Sequence, residues 1–249
     1  MIKKFVAYNL IIALIITFGV ATRRAVQSRR LAEPIRITSI ADSVERVIPA
    51  VVHISKEGVC QGSGCIMSED GIIFTAKHVT DGGGDFVITL NDGRTFEVQR
   101  CIEHDDYDIA FLKIDVNEPL PYASLADYHD LRLGDPLFII GSPFGYENFN
   151  SVTQGILSAK QRNLDAERDY GYGWEVTFQT DATAQPGNSG GPVFNIRGDV
   201  VGILVAGMSP TTNYAVPVSL FMPDLQLIKY LFMSEHYTIR EPAYAEWGY

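Results

Sequence analysis

The chain has 249 residues, 46% hydrophobic and 20% charged, with a net charge of −10 at pH 7. That is enough for one substantial folded domain or two small ones. Residues 1–36 hold seven Lys/Arg against one Glu, leaving −16 on the remainder, and so acidic a remainder excludes nucleic acid as the expected partner.

The N-terminus opens with an apolar run of 18 residues, Phe5 to Thr22, between Lys4 and Arg23. As a helix it would extend about 27 Å, close to the roughly 30 Å hydrocarbon core of a bilayer. It reads as an uncleaved transmembrane anchor over residues 1–22. A cleaved signal peptide is the competing reading, with Gly19-Val20-Ala21 as its small-residue site, and the protein would then be secreted. Residues 23–38 form a basic linker. The charges on either side, Lys3 and Lys4 against Arg23, Arg24, Arg29 and Arg30, do not favour a translocated domain under the positive-inside rule.

Ile40, Val44, Val47 and Ile48 recur at helical spacing and stop at Pro49, which predicts a packing helix. Beyond it the chain breaks into short apolar runs separated by Gly, Asn and Asp turns, the pattern of an all-β protein. Cys60 and Cys65 flank the turn Gly62-Ser63-Gly64 and could pair in an oxidising compartment. Cys65 and Cys101 otherwise stand where strands take small apolar residues, and buried thiols are the preferred reading for this odd set of three cysteines.

The strand expected at Ile72–Ala76 runs into Lys77 and His78. Thirty residues on, Asp108 opens the apolar run Ile109 to Ile114, while Asp105 and Asp106 precede it and read as a solvated turn. A carboxylate at the mouth of a buried strand is well placed to accept an imidazole N–H and fix its tautomer. Lys77 either points to solvent or lies beside His78 as a nearby cation. His53, His104, His129 and His236 lack a comparable setting and read as surface or structural residues. No spacing suits a metal, and no cofactor is expected.

Further on, Lys160–Gly173 is polar and rich in Tyr and Gly, and reads as a mobile loop. The run Gln185-Pro186-Gly187-Asn188-Ser189-Gly190-Gly191 then places one serine between glycines. A nucleophilic serine must reach a carbonyl carbon while backbone N–H groups meet the developing oxyanion, and glycines leave room for both. Serine also needs a base, and the base an orienting carboxylate, so His78, Asp108 and Ser189 form the candidate set. Leu225, Ile228, Leu231 and Phe232 predict a last helix starting near Pro223, and residues 234–249 form a tail.

In this order, Ile40 to Val52, Gly62-Ser63-Gly64, Asp70-Gly71, Thr75 to Val79, Asp108 to Ile114, Gly141-Ser142-Pro143-Phe144-Gly145, Thr153 to Ser158, the serine loop and Asn213 to Pro217 resemble the HtrA/Deg family of trypsin-like serine proteases. The resemblance implies two six-stranded antiparallel barrels of the chymotrypsin type within a domain spanning 39–233. They would cover roughly 49–132 and 133–217, with the site in the cleft between them. It implies His78 as general base, Asp108 as its orienter and Ser189 as the nucleophile that forms an acyl-enzyme. Gly187 and Ser189 would supply the oxyanion hole, with Asn188 between them. It also implies unfolded or damaged polypeptides as substrates, trimerisation through the region before the first barrel, a role in activation for the loop near Lys160–Gly173, and a protease domain outside the cytoplasm.

Digestive relatives that cut after Lys or Arg carry an acid six residues before the nucleophile, where this chain has Thr183. With Asn213, Tyr214 and Ala215 and the stretch Val201–Ala206 as further walls, the expected specificity is a small or medium apolar residue before the scissile bond. Relatives commonly append peptide-binding PDZ domains, and the 16 residues after Met233 are too few for one. The alternative to an endopeptidase is a peptide-binding or holdase protein that keeps the fold and rarely cuts, or one that cuts only when a partner activates it.

Overall fold

The computed structural model describes residues 39–165 and 174–234. The apolar run at 5–22, the linker, residues 166–173 of the expected loop, His236 and the C-terminal tail beyond Ser234 lie outside them. Among the described residues no helix is long and apolar enough to cross a membrane.

Helix α1 (Ile40–Val47) begins with a reciprocal cap: Asp42 N–H donates to Ser39 Oγ at 3.3 Å and Ser39 N–H to Asp42 Oδ2 at 3.0 Å. Pro49 lies in the 3-10 turn Ile48–Ala50 that ends the helix. Val47 is buried, while Ile40, Val44 and Ile48 pack half-buried against the core.

Twelve strands follow. β1 (Val51–Lys56), β2 (Val59–Ile66), β3 (Ile72–Thr75), β4 (Phe86–Thr89), β5 (Thr95–Glu103) and β6 (Ala110–Ile114) close a barrel in the order 1-2-3-6-5-4. β7 (Pro136–Gly141), β8 (Ser151–Arg162), β9 (Thr177–Thr180), β10 (Pro192–Asn195), β11 (Val200–Ser209) and β12 (Thr212–Pro217) close a second, in the order 7-8-9-12-11-10. The two orders are the same path traced twice, and all the strand pairings are antiparallel. Helix α2 (Leu225–Met233) follows the 3-10 turn that holds Pro223, and it buries Ile228 and Phe232. Arg100 of β5 reaches its last turn and donates to the carbonyls of Leu231 at 2.9 Å and Phe232 at 2.7 Å.

Successive side chains on a strand face opposite ways, which explains the strands that are apolar on both sides. On β7, Leu137 and Ile139 fill the second barrel, while Phe138 and Ile140 join a separate layer continuous with the first barrel. On β10, Val193 and Phe194 divide in the same way. Phe138 and Phe194 stack in that layer with ring centroids 5.0 Å apart. The core of one barrel is thus sealed by the outer face of the other, and the loops between strands meet along that seam.

Candidate active site

His78 lies in the 3-10 turn Lys77–Val79, directly after β3 and Ala76. The turn is closed by Thr80, whose hydroxyl and N–H both donate to the Lys77 carbonyl, at 2.7 and 2.8 Å. Lys77 is engaged with the backbone of the next segment, its Nζ donating to the His104 carbonyl at 3.2 Å. Asp105 and Asp106 are exposed, in a turn where the Asp106 and Tyr107 N–H groups donate to His104 Nδ1.

Asp108 is wholly buried just ahead of β6. Its Oδ1 accepts the His78 N–H at 2.9 Å, and its Oδ2 lies 2.7 Å from His78 Nδ1. With the carboxylate ionised, that bond requires the proton on Nδ1, which makes Nε2 the acceptor nitrogen of the ring. A third donor comes from the other barrel, the indole Nε1–H of Trp174, 2.7 Å from Oδ2. Sequence reasoning missed it, because Trp174 falls just past the segment read as a loop.

Ser189 stands on the connection from β9 to β10. A Cβ on Gly62 would lie 2.6 Å from the Ser189 carbonyl oxygen and 2.7 Å from Val79 Cγ2, so the β2 glycine is wedged between the serine loop and the turn that carries His78. Ser63, next along, is the junction of this seam. Its N–H donates to the Ser189 carbonyl at 2.8 Å and its carbonyl accepts Thr75 Oγ1 at 2.8 Å. Its Oγ donates to the Gly187 carbonyl at 2.7 Å and accepts the Ser142 N–H at 3.0 Å. The sequence marked Gly62-Ser63-Gly64 as a turn, and nothing local indicated what the hydroxyl would hold.

The Pro186 carbonyl accepts the Phe144 N–H at 2.7 Å, which fixes the peptide plane on one side of Gly187. Gly187 has φ +99°, and a Cβ there would collide with the Ser142 carbonyl oxygen, so this position requires glycine. The N–H groups of Gly187 and Ser189 have no acceptor among the described residues. Asn188 differs from the expectation that grouped it with them. Its N–H is already given to the Gln185 carbonyl at 3.0 Å, and its buried side chain packs beneath Gly141.

Beside Ser189 opens a cleft of about 410 Å³, lined by Ala184, Pro186, Leu204, Ala206 and Met208 among others, with no charged side chain on its wall among the described residues. The four residues expected to shape specificity do not line it. Asn213 is buried, its Nδ2 given to the carbonyls of Ala182 at 2.9 Å and Pro210 at 3.1 Å. Ala215 packs inside the second barrel, Tyr214 is 9% exposed, and Thr183 contributes its carbonyl to Thr153 Oγ1 at 2.7 Å. The stretch Val201–Ala206, also expected as a wall, does line it through Leu204 and Ala206, joined by Met208 of the same strand β11.

The remaining titratable groups have other duties. His53 is 3% exposed, edge-on to Tyr146, and burial lowers its pKa. His129 is exposed and pairs with Asp127 at 2.7 Å. All three cysteines are free thiols. Cys60 and Cys65 lie on one continuous strand, five residues and therefore about 17 Å apart, which excludes the disulfide that their spacing suggested. Burial pushes the Cys101 thiol up to about 12, and raises those of Cys65 and Cys60 as well.

The chain matches known proteins over this region. A family model described as a trypsin-like peptidase domain matches residues 62–203. A "Probable periplasmic serine endoprotease DegP-like" of Halomonas elongata is 39% identical over 179 residues, which cover 70% of this chain and 36% of that protein. "Serine protease HTRA1" of Xenopus tropicalis is 37% identical over 194 residues, covering 72% of this chain and 40% of that protein. The chain thus spans well under half the length of these curated relatives. Among solved structures, the HtrA-type protease AlgW with a decapeptide has a TM-score of 0.68 at 30% identity, covering 78% of this chain and 68% of that one.

Proposed function

From a chain that belongs to the HtrA-type trypsin-like peptidases, we propose a serine endopeptidase that cleaves unfolded polypeptides through an acyl-enzyme on Ser189. The observation that carries this reading is the buried Asp108 carboxylate bonded at 2.7 Å to His78 Nδ1, beside a serine loop whose Gly187 and Ser189 N–H groups are unengaged.

In this mechanism His78 Nε2 takes the Ser189 Oγ proton as Oγ attacks the scissile carbonyl carbon. The carbonyl π pair moves onto oxygen, where the N–H groups of Gly187 and Ser189 receive it, and Asp108 balances the imidazolium. Collapse of the intermediate breaks the C–N bond, and the departing amine takes the proton from His78. Water then repeats the sequence against the acyl-enzyme, releasing the acid and restoring Ser189.

The uncharged wall of Leu204, Ala206 and Met208 supports a small or medium apolar residue before the scissile bond. A peptide library preferring Arg or Lys at that position would defeat this specificity. Residues 5–22 act as a single membrane anchor, with the protease domain outside the cytoplasm, as the word periplasmic in the name of the DegP-like relative supports. Protease accessibility in intact cells tests that side. In the same reading the protein assembles as a homotrimer through the region before β1, which analytical ultracentrifugation tests.

The central experiment is degradation of an unfolded model protein by the full chain beside Ser189→Ala, with fluorophosphonate labelling of both. Cleavage and labelling that disappear together in the variant are expected. Cleavage that survives Ser189→Ala would remove Ser189 from the role. Wild-type protein that neither cleaves nor labels would turn the assignment towards a binder.

A further inference from the structure

Asp108 takes three hydrogen bonds, and they come from two directions. Two are from His78, on the same barrel, at 2.9 and 2.7 Å. The third, at 2.7 Å, is the Trp174 indole, 66 residues away on the connection from β8 to β9. An indole N–H can only donate, so this bond keeps its direction whatever the protonation state of His78. His78 is the one ionisable partner of Asp108 among the described residues, so neutral donors carry much of the cost of keeping that charge buried.

Trp174 is itself held. Its N–H donates to Asp165 Oδ2 at 2.7 Å, and its carbonyl accepts the Leu164 N–H at 3.0 Å. Its ring packs against the buried cluster that the first barrel shares with the outer face of the second, and stands edge-on to the His78 ring, with centroids 6.4 Å apart. The indole therefore does what neither bond from His78 can do. Those bonds fix the carboxylate relative to the turn that carries the imidazole, so the pair could shift together. Trp174 fixes it relative to the second barrel, which carries Ser189.

We infer that Trp174 is a positioning residue: its indole N–H, carried on the barrel that bears Ser189, sets the His78–Asp108 pair in register with the nucleophile. The inference deepens the reading of Ser189 as nucleophile and rests on it. It also makes the foot of the β8–β9 connection, Leu164–Asp165 and Trp174, a place where movement reaches the base directly.

The test uses the full chain with Trp174→Phe, which keeps an aromatic ring and deletes the N–H. A second variant has 3-benzothienylalanine at 174, in which sulfur replaces the N–H at nearly constant shape. Both are expected to lower kcat by roughly 10- to 100-fold while leaving KM within about two-fold, because the lost bond serves the chemical step and not the cleft. If the ring matters only as packing, the benzothienyl variant retains wild-type kcat, and the inference is overturned. A readout that needs no turnover is the low-field His78 Nδ1–H resonance. Loss to exchange broadening in both variants is expected, and a resonance unchanged from wild type overturns the inference even if the protein proves inactive. Failure of the nucleophile reading looks different: fluorophosphonate labelling is then absent, or survives Ser189→Ala, whatever occupies position 174.

Discussion

Replacing Ser63 by alanine removes one oxygen atom and leaves a buried N–H and a half-buried carbonyl without that partner. The side chain is fully buried, and its Oγ serves the Gly187 carbonyl at 2.7 Å and the Ser142 N–H at 3.0 Å. An orphaned buried donor or acceptor costs roughly 1–3 kcal/mol, and the half-buried Gly187 carbonyl costs less than the Ser142 N–H, so the expected loss of stability is about 2–5 kcal/mol. In a domain of this size that lowers Tm by roughly 5–15 °C. The effect on chemistry is separate. Two bonds hold the peptide planes flanking Gly187, Phe144 N–H on the Pro186 carbonyl and Ser63 Oγ on the Gly187 carbonyl. The Gly187 N–H shares its plane with the Pro186 carbonyl, so losing the second bond frees the adjoining plane and loosens that N–H indirectly; full loss of one oxyanion donor, about 10²- to 10³-fold in kcat, is the upper limit. Ser63→Ala is therefore expected to lower kcat by roughly 10- to 10³-fold with KM little changed, since the wall of the cleft is untouched. The assay is steady-state hydrolysis of a fluorogenic peptide well below the variant's Tm, normalised to sites counted by fluorophosphonate, beside a thermal melt. A variant that melts early yet turns over normally per labelled site would refute the link from Ser63 to the oxyanion hole. Unchanged Tm and kcat would refute the bonding itself.

Asp108→Asn keeps the shape of the buried group but favours the wrong imidazole tautomer, and kcat is expected to fall by about 10⁴-fold with folding preserved; a loss under ten-fold would remove Asp108 from its role. His53 supplies a pH dependence. Burial depresses its pKa in the folded protein below the ordinary value of 6.5, so the unfolded chain binds the extra proton first as pH falls. The stability that His53 contributes is present above about pH 6.5 and is lost as pH drops towards the depressed native value. Denaturant titrations across that window are expected to show a shallower acid limb for His53→Phe, and equal slopes would contradict the assignment. The thiols give a last check. Of the three, Cys65 is wholly buried and Cys101 is pushed up to about 12, so alkylation of the native protein is expected to stop at Cys60 and to reach all three only in denaturant.

The candidates His78, Asp108 and Ser189 stand out in the sequence because each lies at a boundary that it marks locally, and the fold bonds the first two. Two lie at the ends of buried strands and one lies among glycines. Trp174 and Ser63 carry no such mark. The indole meets its carboxylate across 66 residues, and the Ser63 hydroxyl meets its partners across 124 and 79. Both contacts exist only because two barrels dock, and no local period encodes docking. Of the expected wall, β11 supplies Leu204 and Ala206, while the residues on β12 do not line the cleft, for a related reason. Period-2 alternation separates two faces of a strand, but where both are apolar, as on β11 and β12, it does not say which one lines a barrel. The pairing of Cys60 with Cys65 failed because the Gly-Ser-Gly turn between them is continuous strand.

Ser63 also gives the protein a way of timing itself. A chain in which each half has closed on its own strands already owns its ladders and most of its buried side chains. Until the halves meet, however, nothing sets the carbonyls of Gly187 and Ser189, because the atoms that do so belong to the other half. During refolding, far-ultraviolet circular dichroism should therefore recover ahead of fluorophosphonate reactivity, and the lag between them is the docking time. Until docking is complete, a newly made copy is chemically quiet towards the unfolded neighbours around it.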